Sequence, residues 1–228
     1  MEIHSTELFS YTQPVRTDMT ADEMIAYIAR VSNPSNQNNH ATAVKLLRYC
    51  YDNSHYSVFE MADATVEIYT TRDIGRQIIR HRSFCFQEFS QRYADPTKSL
   101  GFELREPRLQ DHRNRQNSIE LDPDRHDAAY ISEMWNDLQR EVIATSTKAY
   151  KWAIDHGIAR EQARVLLPEG NTVTRMYMKG SLRSWIHYCA LRGGNGTQKE
   201  HMLVARSAWD SVVSAFPTMG LLGIDQKV

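Results

Sequence analysis

Residues 64–92 read ATVEIYTTRDIGRQIIRHRSFCFQEFSQR, and the change of pattern inside them decides the fold class. Residues 64–70 are β-branched and aromatic, the composition of a strand. Residues 72–82 switch to helical spacing, with Ile74, Ile78 and Ile79 inward and the charges elsewhere. Phe84, Phe86 and Phe89 follow in an extended or irregular stretch.

The neighbouring segments carry equally local signals. Upstream, residues 40–52 form a helix with Val44, Leu47 and Tyr51 three and four apart, behind a polar loop at 33–39. Thr20 with Glu23 makes a capping box that opens a helix bearing Met24, Ile25 and Ile28. Residues 2–10 are a strand candidate. Downstream, a strand is expected near 99–104, then a polar surface excursion at 105–124. Residues 125–156 form one long helix, with Ile131, Met134, Trp135, Leu138, Val142, Ala149 and Trp152 at helical spacing and Gly157 beyond its end. At 1.5 Å per residue it is roughly 45 Å long, more than a small domain spans, so part of it is expected to pack on another subunit. Arg160 to Leu167 is a short helix stopped by Pro168, and residues 172–178 alternate like a strand. Residues 181–192 are a helix burying Leu182, Trp185, Ile186 and Cys189. A second capping box, Thr197 with Glu200, opens a last helix that buries Met202, Ala205, Trp209 and Val213. Strands that do not strictly alternate with helices imply an α+β fold. The expectation is a mixed or antiparallel sheet of about four strands flanked by helices, one long helix at a subunit interface, and a single domain over residues 1–228.

Composition narrows the functional class. The chain has 228 residues, 41% hydrophobic and 24% charged, with a formal charge of −1. That is enough chain to bury a core without staples. Its 10 Gly and 7 Pro amount to about 7%, against about 12% in average usage, which favours helix. A global basic field for nucleic acid is absent. Cys50, Cys85 and Cys189 have no C-x-x-C spacing, which favours a reducing compartment and disfavours zinc; Cys85 is expected to pack. No signal pattern and no apolar run near the ~18 residues of a span is present. The expectation is a cytoplasmic protein that binds neither membrane nor nucleic acid; the sequon Asn195-Gly196-Thr197 is then incidental.

Chemistry concentrates in residues 72–92. Arg72, Arg76, Arg80, Arg82 and Arg92 against Asp73 and Glu88 make a local charge of +3 inside a chain of −1. Guanidinium forks match phosphate and carboxylate oxygens and keep their proton at neutral pH. Interleaved with phenylalanines, they suit a planar, phosphorylated ligand. A solvated basic face is the bland reading, but the large apolar residues between the charges oppose full exposure. Arg183, His187 and Arg192 form a second cluster. Gly193-Gly194-Asn195-Gly196 lacks the Gly-Lys-Ser/Thr of a P-loop and reads as a turn. Asp122, Asp124 and His126 sit at a helix entry, where Asp caps are ordinary, and no metal is expected.

Arg80-His81-Arg82, seven residues, then Ser90 and Gln91-Arg92-Tyr93 resemble the R-H-R-x7-S signature of flavin-dependent thymidylate synthases. His55-Tyr56-Ser57-Val58-Phe59-Glu60, Ala163-Arg164-Val165-Leu166-Leu167-Pro168 and Arg183-Ser184 with Leu191-Arg192 resemble three further segments of that family, in the same order. The resemblance covers most of residues 40–205. It implies an enzyme, a homotetramer with shared active sites, that makes dTMP from dUMP with FAD, NADPH and 5,10-methylenetetrahydrofolate. It implies dUMP contacts from Gln77, Ile78, Ile79, Arg80, Glu88, Phe89, Ser90, Gln91, Arg92, Arg164 and Arg192, with Arg92 and Arg164 at the phosphate and Arg192 as the catalytic arginine that activates the uracil. It implies FAD contacts from Ser57, Arg80, His81, Arg82, Ser83, Glu88, Ser181, Leu182, Arg183 and His187, with His55 facing folate or flavin. The chain departs from the family at Gln87, Ser181 and His187, where Asn is frequent, and at Gly196, where His is common. Ser90 lacks a partner base and is expected to bind dUMP rather than attack it. The alternative is a non-enzymatic nucleotide- or RNA-binding module built on the 72–92 patch.

Overall fold

The computed structural model describes residues 2–16, 18–194 and 196–224. In chain order the elements are β1 (Ser5–Tyr11), α1 (Ala21–Ala29), α2 (Ala43–Asp52), β2 (Asp63–Thr71), α3 (Arg72–Ile78), β3 (Cys85–Glu88) and α4 (Pro96–Ser99). They continue with β4 (Arg108–Gln110), β5 (Ser118–Glu120), α5 (Ala128–Asp155), α6 (Arg160–Ala163), β6 (Val173–Ser181), α7 (Leu182–Arg192), α8 (Lys199–Ala215) and α9 (Pro217–Gly220). The main sheet has the order β1-β2-β6-β3 with every pairing antiparallel, and β4 and β5 form a separate hairpin. The four strands flanked by helices are the expected α+β arrangement.

Alternation sets the layers. Along β2 and β6, Ala64, Val66, Ile68, Met176 and Met178 are buried beneath the helices, and the intervening side chains lie on the opposite face. The core they join includes Ile25, Leu47, Phe59, Ile74, Ile78, Trp185, Val204 and Trp209. Each such large side chain contributes roughly 1.5–3 kcal/mol by leaving water. On the other face Phe9 meets Tyr177 edge-on at 5.0 Å, and Arg175 pairs with Glu67.

The register of β2 on β6 positions the site. Asp63 pairs with Ser181 and Thr71 with Val173. The segment entering β2 therefore lies beside the start of α7, and the Leu182 amide donates to the Ala62 carbonyl at 2.9 Å. β3 pairs Cys85 with Lys179, which brings the Arg80–Phe84 turn to the same end. There Phe84 lies over Gly180: a Cβ on that glycine would stand 2.4 Å from the Phe84 ring.

Several expectations are corrected. The α3 helix stops at Ile78, not 82; the fourth strand of the main sheet is β3, paired on β6, and residues 99–104 contribute no strand to it. That stretch instead carries the end of α4 and one bridge, Phe102 to Thr172. Residues 40–52 begin with a tight turn at His40–Thr42, and Val44 is exposed. Thr197 does not cap α8, whose N-cap is Gln198, because Glu200 is turned toward Arg105 and Arg108 instead. The α8 stripe is His201, Val204, Ala205, Ala208, Trp209 and Val212, while Met202 and Val213 are half-buried at its border. Cys85 is exposed because it occupies an outward position of β3.

The long helix α5 runs for 28 residues, about 42 Å. Tyr150 and Ala153 pack with Ala163 and Leu167 in a small second cluster. The rest of its apolar stripe is left open in the single chain: Met134, Trp135, Leu138, Val142 and Trp152 are 41–58% exposed. Among the described residues no helix is long and apolar enough to cross a membrane.

Candidate active site

Two grooves touch opposite ends of α7, one at Arg192 and one at Arg183. The first lies at its C-terminal end, a cavity of about 390 Å³ lined by Arg76, Gln77, Arg80 and Arg192. The Arg192 Nε donates to His81 Nε2 at 3.1 Å, so one end of the guanidinium plane is fixed. Burial, and then the charge of Arg192, hold the His81 pKa below its usual value, so it accepts that bond as a neutral ring. Tyr188 supports the His81 ring edge-on at 4.8 Å. Four residues of the expected site, Gln77, Arg80, His81 and Arg192, are thus assembled from α3, the turn after it and α7.

Behind this cavity runs a buried polar chain. His201, fully buried on α8, lies 3.2 Å from Gln77 Oε1 and 3.2 Å from the Tyr188 hydroxyl. Gln77 Nε2 donates to Gln198 Oε1 at 2.8 Å, and Gln198 Nε2 to Glu200 at 2.9 Å. Glu200 in turn accepts from Arg108 at 2.5 Å and pairs with Arg105 at 3.5 Å. Arg105 also reaches Asp73 at 2.7 Å. The 105–124 excursion is therefore anchored at its base rather than loose on the surface.

The second groove lies at the N-terminal end of α7, about 660 Å³ in volume. Its wall combines apolar Leu46 and Val58 with His55, Ser57, Glu60 and Arg183. Arg183 donates to Glu60 at 2.9 Å. Hydrogen bonds from Ser181 and Arg183 hold the Glu60 carboxyl below its usual pKa. His187 stands one turn on, edge-on to Tyr56 at 4.7 Å. Ser83 joins through its carbonyl, which accepts from Ser184 Oγ at 3.3 Å. Arg82 is exposed in the same turn. Ile78 and Leu182 are fully buried, so their side chains pack and only backbone groups remain for a ligand. Ile79 packs against the core from its edge.

The remaining expected residues form a third group. Arg92 pairs with Glu161 at 3.3 Å, and Arg164 Nε donates to the Glu161 carbonyl at 3.3 Å, which brings these two arginines to one spot. Ser90 Oγ accepts from the Arg92 amide, Phe89 donates its amide to Arg175, and Gln91 is buried. Glu88 stands between the groups. It accepts from Arg76 at 2.6 Å, Arg72 at 3.5 Å and Thr174 at 2.9 Å. With Glu169 also paired to Arg72 and Arg76, much of the +3 patch is compensated inside the chain. That weakens the RNA-binding reading, which needs free charge. Asp122 Oδ1 accepts from the Asp124 amide in a local turn, and no metal-holding cluster exists among the described residues. In the Gly193–Gly196 turn, Asn195 lies outside the described residues.

Sequence reasoning named neither Glu60, Tyr188, Gln198 nor His201 as site residues. Glu60 and Tyr188 lie within segments that were already singled out. A histidine at the 201/205/208/212 spacing of α8 is the available signal for the last; a stripe phased from Met202 leaves it off the buried face.

Comparison with known proteins identifies the family and the fold. The family model described as thymidylate synthase complementing protein matches residues 14–218. The chain is 45% identical over 216 residues to a probable flavin-dependent thymidylate synthase of Paramecium bursaria Chlorella virus 1, covering 94% of this chain and 96% of that one. It is 47% identical over 202 residues to the flavin-dependent thymidylate synthase of a Synechocystis species, covering 88% of each. In fold it is similar to the UMP/dUMP methylase PolB of Streptomyces cacaoi, solved with 5-Br dUMP, at a TM-score of 0.74 and 22% identity over 96% of this chain and 93% of that one. By its sequence over nearly the whole length, the chain belongs to the family of flavin-dependent thymidylate synthases.

Proposed function

We propose that this chain makes dTMP from dUMP, with 5,10-methylenetetrahydrofolate as one-carbon donor and FAD reduced by NADPH as hydride carrier. The observation that carries the reading is the presence of two different grooves at opposite ends of one helix: a cationic one around Gln77, Arg80 and Arg192, and a mixed apolar and polar one around Ser57 and Arg183. The first suits an anionic nucleotide. The second fits FAD by its donor set: apolar walls for a flat ring, the Ser57 hydroxyl and Arg183 cation for polar edges and phosphate, and the His55 ring beside them in the wall. Bound there, FAD would supply the hydride chemistry.

The chain's own residues do the rest. Addition to the uracil ring builds negative charge on its N3 and carbonyl oxygens. The bond of Arg192 to His81 leaves four of the guanidinium's five N–H donors. A guanidinium held in place in this way stabilises charge that appears only in the transition state. Arg92 and Arg164, converging on Glu161, suit the phosphate.

The open α5 stripe supports a homotetramer with shared sites, in which the Arg92–Arg164 group of one chain completes the cavity of another. The reading takes residues 1–228 as one domain of a cytoplasmic enzyme that binds neither membrane nor nucleic acid. The test is a visible spectrum of the purified protein, then anaerobic addition of dUMP, NADPH and methylenetetrahydrofolate with dTMP assayed. Flavin absorbance with dTMP formation is expected. A colourless protein that takes up no FAD and makes no dTMP refutes the proposal.

A further inference from the structure

Ionised Glu200 fixes the direction of every bond in the buried chain behind the nucleotide cavity. Arg105 and Arg108 stand at its carboxylate. Burial alone would raise its pKa, but the two guanidiniums outweigh burial and the net shift is downward. A carboxylate only accepts, so Gln198 must turn its Nε2 toward Glu200 and its Oε1 toward Gln77. Gln77 then donates through Nε2, and its Oε1 faces His201 Nδ1. An amide oxygen cannot donate, so the proton of the imidazole sits on Nδ1. His201 Nε2 is left as the acceptor for the Tyr188 hydroxyl. Burial first, then Arg192 and His81, push the His201 pKa down to about 3, which keeps the ring neutral as this pattern requires.

We propose that His201, backed by Tyr188, is a positioning residue that locks the side-chain amide of Gln77 in a single orientation toward the pyrimidine of dUMP. Rotating that amide by half a turn would oppose two donors at His201 and two acceptors at Gln198. The locked amide keeps one N–H and one oxygen lone pair uncommitted, and Gln77 lines the cavity beside Arg80 and Arg192. A ligand edge with a fixed order of acceptor and donor then meets a site that has already lost its rotational freedom. The inference rests on the reading in which Gln77 contacts dUMP.

The test measures dUMP affinity by calorimetry on the flavin-loaded protein, with KM and kcat alongside, for wild type, His201→Asn, His201→Gln and His201→Leu. The Asn amide nitrogen reproduces the Nδ1 donor, so His201→Asn should keep dUMP affinity within about twofold. His201→Gln and His201→Leu lose that donor and should weaken dUMP about tenfold, the weight of one hydrogen bond, with flavin content retained. In a Gln77→Ala background, His201→Leu should add less than about twofold, because the residue acts through that amide. Equal weakening by Asn and Gln, no weakening by Gln, or full additivity with Gln77→Ala overturns the assignment. The Asn and Gln variants both keep a polar group in the cavity, so the comparison stands if His201→Leu fails to fold. A wild-type protein that binds no dUMP at all refutes the functional reading itself and the inference with it.

Discussion

Replacing Glu200 by Ala tests whether the base of the 105–124 excursion is part of the folded framework. Glu200 is 4% exposed and is shared by Arg108 at 2.5 Å and Arg105 at 3.5 Å, whose side chains are 11% and 15% exposed. Removing one partner of a buried ion pair costs about 3–5 kcal/mol, because a charge is left without compensation. Arg105 keeps Asp73 at 2.7 Å, which places the loss near the low end, about 3 kcal/mol. For a chain of this size that is a fall in Tm of roughly 6–12 °C. The pH dependence has a definite sign. The folded carboxyl titrates below its ordinary value of 4.5, so its stabilisation is present above the unfolded pKa and is lost as pH falls through the folded one. The gap in Tm between wild type and Glu200→Ala should therefore be full at pH 7 and close progressively below about pH 4.5. Differential scanning fluorimetry from pH 7 down to pH 3.5 measures both. A gap under about 2 °C at pH 7, or one unchanged at pH 3.5, would refute the reasoning.

Three further outcomes follow from other parts of the molecule. Gly180→Ala places a methyl 2.4 Å from the Phe84 ring, which itself packs on Trp185 at 4.7 Å. It should cost about 1–3 kcal/mol and loosen the Arg80–Phe84 turn, read as a lower Tm with weaker flavin retention; an unchanged melt contradicts the packing. Arg192→Ala should lower kcat by about 10²–10³ while flavin absorbance is largely kept, since its recorded bond is to His81 and not to the Ser57–Arg183 groove. Unchanged turnover would remove it from the chemistry. On α5, Leu138 and Val142 are 50% and 49% exposed in the single chain. Leu138→Glu with Val142→Glu should shift sedimentation to a smaller species with far-UV dichroism retained, and an unshifted species would place the subunit contact elsewhere.

What was legible from the residues is the local part. Capping at Thr20, the strand at 64–70, and the buried stripe of Leu182, Trp185, Ile186 and Cys189 depend on neighbours within four residues, and all are present. The motif segments also supply residues that the fold brings together, Gln77, Arg80, His81 and Arg192 at one cavity and His55, Ser57 and Arg183 at the other. Failures occurred where a distant partner outweighs a local preference. Thr197 and Glu200 spell a capping box, yet Glu200 is drawn to two arginines some 92 and 95 residues away, since a buried guanidinium gains more from a carboxylate than a helix end does. Residues 85–88 read only as part of an extended or irregular stretch and become a strand because β6 offers them an open edge.

The sequence by itself determined the α+β class and the helical phase of α7. The tertiary structure alone decided that His55–Glu60 and Ser181–His187 face each other, that Gln77 and Arg192 share a cavity, and that His201 stands behind them. The reason is register: pairing Asp63 with Ser181 joins segments more than a hundred residues apart. That pairing is selected by the burial of two whole strand faces, a sum over many residues that no single motif contains.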